Sequence, residues 1–140
     1  MKNELVKTWM TPNPLVIAPD ATLPDAYRLM KDKKVRRLPV VDAHQKLVGI
    51  VSITDVKEAA PSDASTLSIY EMHYLMAKLT IASIMTKEVL CVTPEQSVAE
   101  AAKLMLERKI GGLPVLEGDK LVGIITESDI FRMVVKQYGD

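Results

Sequence analysis

Two stretches of the chain carry one chemical pattern: a glycine, two aliphatic residues, a hydroxyl, two spacers and an aspartate. They are Gly49-Ile50-Val51-Ser52-Ile53-Thr54-Asp55 and Gly123-Ile124-Ile125-Thr126-Glu127-Ser128-Asp129. A carboxylate can accept from both hydroxyls of a vicinal diol, and a Ser or Thr beside the free N–H groups of a helix start suits an anion. The same Ser/Thr-x-x-Asp spacing is also a capping box, with Asp in place of the usual Glu. Both readings stand at this level. Upstream of the first stretch lies Arg36-Arg37, and at the matching place before the second lies Gly111-Gly112. Two guanidiniums can fork onto phosphate oxygens, or they can simply end the solvated basic run that starts at Lys31. Two glycines let another molecule approach the backbone but bring no charge.

Other chemistry is poorly represented. His44 and His73 are far apart and lack a metal-ligand partner pattern. There is no glycine-rich phosphate loop, no nucleophile elbow and no Cys-x-x-Cys, and no nucleophile, base and orienting group fall together, so an enzyme is not expected. The single Cys91 sits in the apolar run Leu90-Cys91-Val92 and reads as a small buried hydrophobe.

The elements that must position these residues come in two copies. Residues 10–57 align on 85–131 with one gap, opposite Gln45, and 17 of 47 aligned pairs are identical, which chance does not produce. In each copy an apolar strand (residues 15–18 and 90–93) stops at Pro19 or Pro94. A capping box follows, Thr22-Leu23-Pro24-Asp25 or Ser97-Val98-Ala99-Glu100, and then apolar residues at helical spacing: Ala26, Leu29, Met30 and Ala101, Leu104, Met105. Two apolar runs rich in β-branched residues, 38–41 with 47–51 and 113–116 with 121–125, are joined by polar turns as hairpins. A further helix starts near Asp55 or Asp129. The expected fold is therefore α/β of the α+β kind: two β-α-β-β-α repeats packed sheet to sheet with pseudo-two-fold symmetry. The expected division is residues 1–60, a connector over 61–80, and residues 81–140. Pro61-Ser62-Asp63 breaks the first copy, Ser68-Ile69-Tyr70-Glu71 is another capping box, and Leu67, Tyr70, Tyr74, Leu75 and Leu79 mark an amphipathic connector helix.

Composition is that of a globular chain with an aliphatic core: 140 residues, 48% hydrophobic but only 4% aromatic. The eight methionines fall largely at apolar helical positions as core filler, and Trp9 suits a cover over the core edge or a dimer contact. Eighteen basic and eighteen acidic residues cancel, which argues against a broad nucleic-acid surface. No apolar run approaches the ~18 residues of a membrane span, and no signal pattern opens the chain, so a cytoplasmic protein is expected.

The motifs quoted above, strand-Pro-helix, then Leu-Pro-Val, then Gly-Ile-Val-Ser-x-x-Asp, resemble the CBS domain, named after cystathionine β-synthase. The resemblance occurs twice and covers nearly the whole chain. The connector, Ala60-Pro61-Ser62-Asp63-Ala64-Ser65 followed by residues 68–79, resembles that of acetoin-utilisation-type stand-alone CBS pairs. The resemblance implies a regulatory module that binds AMP, ADP, ATP, S-adenosylmethionine or a related adenosyl compound in clefts between the repeats. It implies that the Asp takes ribose hydroxyls and the Ser/Thr approaches phosphates. One site would combine Ala18, Val35, Arg36 and Arg37 with Thr126, Ser128 and Asp129. The other would combine Thr93, Ile110, Gly111 and Gly112 with Ser52, Thr54 and Asp55. It also implies a homodimer built as a flat disk through helices, with the output read by an unknown regulated protein. The alternative is a protein-interaction scaffold with vestigial clefts.

Overall fold

The computed structural model describes residues 4–59 and 69–139. The break at Pro61-Ser62-Asp63, Leu67 and the Ser68 cap lie outside the described residues. The connector helix itself is present as α4 (Ile69–Lys78). The remaining elements are α1 (Val6–Trp9), β1 (Thr11–Pro12), α2 (Leu23–Lys33), β2 (Arg37–Val41), β3 (Leu47–Ser52), α3 (Ile53–Ala59), α5 (Ile81–Ile84), α6 (Val98–Arg108), β4 (Gly112–Glu117), β5 (Lys120–Thr126) and α7 (Glu127–Tyr138).

These elements condense into two compact units that cut across the sequence repeats. One is Leu15–Glu88; the other joins Met1–Pro14 to Val89–Asp140. In the first-repeat unit β2 and β3 form an antiparallel hairpin, and Ile50 on the free edge of β3 exchanges two backbone hydrogen bonds with Thr86 (3.0 and 2.9 Å). In the second-repeat unit β4 and β5 form the hairpin, and β1 pairs with β5 through Thr11↔Ile124, the positions equivalent to Thr86 and Ile50. Each unit thus completes its sheet with the opening residues of the other sequence repeat. The helices just before those residues follow suit. The Val6 N–H reaches Gln96 O at 2.8 Å, and the Ile81 N–H reaches Ala21 O at 2.8 Å.

The glycine of the repeated motif is explained by this pairing. A Cβ on Gly49 would stand 2.4 Å from Met85 Sδ, and one on Gly123 2.5 Å from Met10 Sδ, with the Thr86 or Thr11 carbonyl oxygen at 3.0 Å behind. The glycine is there for the close crossing of the Met-Thr segment.

The expected strands at 15–18 and 90–93 shrink to one bridging residue each. Ile17 lies parallel to β2, donating to Pro39 O (3.1 Å) and accepting from the Val41 N–H (3.0 Å); Val92 does the same with Pro114 O and the Leu116 N–H at 3.0 and 2.9 Å. The next donor on a parallel ladder is two residues on, and there stand Pro19 and Pro94, which have no N–H. The interior prolines Pro39 and Pro114 cost nothing in the hairpins, because their backbone polar side faces Ile17 or Val92 and not β3 or β5.

The long helices start as the sequence indicates. Thr22 Oγ1 accepts from the Asp25 N–H and Asp25 Oδ2 from the Thr22 N–H; Ser97 and Glu100 repeat the box. Both end on a left-handed lysine, Lys34 (φ 57°) and Lys109 (φ 56°), with the next residue's N–H reaching back to Met30 or Met105 O. Each unit has its own aliphatic core. Leu23, Met30, Leu38, Val51 and Ile81 centre one, and Val6, Val98, Leu113, Val115 and Ile125 the other. Trp9 packs on the edge of the latter, its indole N–H donating to Glu4 Oε2 at 2.9 Å.

Candidate functional site

In each unit a hairpin strand ends where a helix begins, and the candidate residues gather at that end. Arg37 is the register partner of Ser52, and Arg36 O accepts from the Ile53 N–H at 2.8 Å. The equivalent pair is Gly112↔Thr126, with Gly111 O accepting from the Glu127 N–H at 3.1 Å. So the structure brings Arg36 and Arg37 beside Ser52, Thr54 and Asp55 in one unit, and Gly111 and Gly112 beside Thr126, Ser128 and Asp129 in the other. Val35 and Ile110 precede these strand ends and pack partly against their cores. Arg36, Thr54 and Ser128 are exposed, while Arg37, Ser52 and Thr126 are half-buried.

Ala18 and Thr93 fall elsewhere within their units. The parallel register sets Ile17 beside Val40, so Ala18 follows at the far end of β2, roughly 13 Å along the strand from Arg37 at ~3.3 Å per residue. It lines a hollow of about 490 Å³ with Asp20, Asp42 and Gln45. Thr93 follows Val92, which pairs with Val115, and is likewise remote from Gly112. The apolar residue that this register carries toward the Arg37 end is Leu15, 40% exposed, and its repeat partner is Leu90. Sequence periodicity does not say which residue of each run pairs with the hairpin; the bridges Ile17↔Val40 and Val92↔Val115 decide it.

Both aspartates close capping boxes, so the structural role of the Ser/Thr-x-x-Asp spacing is realised. Asp55 Oδ2 accepts from the Ser52 N–H (2.8 Å) and the Asp55 N–H donates to Ser52 Oγ (3.1 Å). Asp129 is far more heavily engaged. Its Oδ2 accepts from the Thr126 N–H (2.9 Å) and hydroxyl (3.2 Å); its Oδ1 accepts from the Thr11 hydroxyl (3.2 Å) and from Arg132 Nη1 (2.8 Å). It is 2% exposed, and among the described residues it is the one buried polar or charged side chain.

Away from these strand ends, Cys91 is half-buried and not fully enclosed as expected, and that partial burial pushes its thiol above its usual pKa. Among the described residues no group of three or more His, Cys, Asp or Glu could hold a metal ion, and no helix is long and apolar enough to cross a membrane.

A sheet-and-helix unit built twice, each with a strand end delivering a Ser/Thr-x-x-Asp helix start, defines a tandem α/β repeat protein. The CBS domain family model matches residues 6–62 and 81–136, and the chain belongs to that family. Among solved structures it is similar to an acetoin utilization protein, AcuB, of Vibrio cholerae (34% identical, TM-score 0.80, covering 97% of this chain and 93% of that one). CBSX2, solved in complex with AMP, is 33% identical with a TM-score of 0.78 over 96% of this chain and 98% of that one. The CBS domain pair of protein MJ0100, solved with 5′-methylthioadenosine and S-adenosyl-L-methionine, is 28% identical with a TM-score of 0.81, covering 97% and 99%.

Proposed function

We propose that this chain is a cytoplasmic regulatory module that senses an adenine nucleotide or a related adenosyl compound. One ligand is served by Val35, Arg36 and Arg37 with Thr126, Ser128 and Asp129, and the other by Ile110, Gly111 and Gly112 with Ser52, Thr54 and Asp55. In this reading Leu15 and Leu90 supply the apolar contact for the base that Ala18 and Thr93 would otherwise give. The observation that supports it is the Ser/Thr-x-x-Asp helix start repeated at the end of β3 and β5, a hydroxyl beside a ribose-capable carboxylate in each unit. The ligands held by CBSX2 and MJ0100 support the adenosyl class. A thermal-shift series with AMP, ADP, ATP and S-adenosylmethionine tests it. A ligand at 100 times its dissociation constant should add ~2.7 kcal/mol of stability. No shift with any of the four at millimolar concentration would overturn it.

A scaffold reading has one observation in its favour. The outward side of α7 exposes Phe131 (65%), Val135 (67%) and Tyr138 (65%) along one stripe, the kind of arrangement that serves an interaction surface. The two readings are compatible, since a sensor needs a surface through which to report.

A further inference from the structure

The two ribose-reading aspartates are not equally available. A carboxylate offers about four acceptor positions. In Asp129 all four are used: two by Thr126, one by Thr11 and one by the Arg132 guanidinium. A vicinal diol brings two donors and needs two of those positions back. The Thr126 bonds cap α7 and are short-range, so Oδ2 is the costly oxygen to free. Oδ1 is the cheap one. The Thr11 hydroxyl can rotate, and the Arg132 side chain is 59% exposed, with water ready to solvate it once it leaves. In the other repeat the residue three beyond the aspartate is Glu58, which has no guanidinium to pair with it. Asp55 is also less deeply buried than Asp129.

We propose that Arg132 is a latch on the second-repeat binding residue: it occupies Asp129 Oδ1 and must swing away before a ribose diol can engage. The latch rests on the ribose role proposed above for Asp129. It makes the site that uses Asp129 the harder of the two to load, and the Asp55 site the first to fill. A partly exposed ion pair of this kind is worth ~0.2–1 kcal/mol, so its removal tightens binding by about one-and-a-half- to fivefold. Arg132 is a positioning residue here, acting on the ligand through the carboxylate.

The test uses adenosine, which has a ribose but no phosphate, so that no loss of cationic charge toward a phosphate confuses the result. In an Asp55→Ala background, leaving only the Asp129 site, calorimetric titration compares Arg132→Met, Arg132→Lys and Asp129→Asn. Expected is tighter adenosine binding for Arg132→Met, unchanged binding for Arg132→Lys, and lost binding for Asp129→Asn. Adding Arg132→Met to Asp129→Asn should restore nothing, whereas a merely structural effect of Arg132 would act with or without the carboxylate. Equal or weaker binding in Arg132→Met, with Asp129→Asn still inactive, overturns the latch and leaves the ribose reading standing. Unaltered binding in Asp129→Asn overturns the ribose reading and the latch with it.

Discussion

Arg36 and Arg37 are the sharpest difference between two otherwise similar strand ends, since Gly111 and Gly112 stand at the same place in the other unit. A charged hydrogen bond to phosphate is worth roughly 1.5–3 kcal/mol, about tenfold or more in affinity. If the arginines serve a phosphate, AMP should bind better than adenosine at their site, and added salt should erode that preference. Replacing both with glycine should abolish the preference and leave the fold intact, because the second-repeat unit already accommodates glycine at the start of β4. Titrating wild type and the Arg36→Gly/Arg37→Gly protein with AMP and adenosine at two salt concentrations measures this. An identical AMP-to-adenosine ratio in both would reject the phosphate role for the pair. Residue types alone raised the question. The register Arg37↔Ser52 sets Arg37 beside the start of α3.

Helix starts are where local sequence dictated structure most directly. The boxes at Thr22–Asp25 and Ser97–Glu100 need only residues three apart, and both formed as expected. The Glu100 carboxylate is held below its ordinary value of 4.5, first by the Gln96 side chain and then by the Ser97 N–H and hydroxyl; Asp25 is lowered from 3.8, chiefly by the Thr22 N–H. A carboxylate with a depressed folded pKa adds stability above its unfolded value and loses it as pH falls through the folded one. Wild type should therefore weaken as pH drops from about 5 through the ordinary carboxylate range. Glu100→Gln, which cannot titrate, should show a shallower acid slope in urea melts across that range. Parallel slopes for the two proteins would deny the box its pH dependence. The strands at 15–18 and 90–93 were less legible. Their apolar runs are real, but Pro19 and Pro94 remove the N–H each ladder needs next, so one bridging residue survives.

At the scale of the molecule the question is what covers α7. Phe131, Val135 and Tyr138 recur along one side of the helix, and Leu106 on α6 is 80% exposed. Burying such side chains against a second copy is favourable at roughly 25 cal/mol per Å² of apolar area. The expectation is a homodimer, read by light scattering as twice the 15.5 kDa chain at micromolar concentration. Phe131→Glu with Val135→Glu should shift it to monomer while circular dichroism stays unchanged. A monomeric wild type would sink the dimer and leave the face for a different protein.

The sequence by itself determined the twofold repeat, which needs only self-comparison, and the capped helices, hairpins and Ser/Thr-x-x-Asp starts, each of which depends on residues within about a dozen positions of one another. Only the tertiary structure decided that Met1–Pro14 completes the unit of Val89–Asp140 while the stretch around Thr86 completes the other. Strand edges carry no label for the segment that will pair with them; hydrogen-bond registry and the space left by Gly49 and Gly123 select it. The same exchange brings Thr11 to Asp129 across 118 residues of chain. A carboxylate that reads in sequence as one open acceptor becomes, on folding, a saturated one, since a buried charge must be paired to be tolerated.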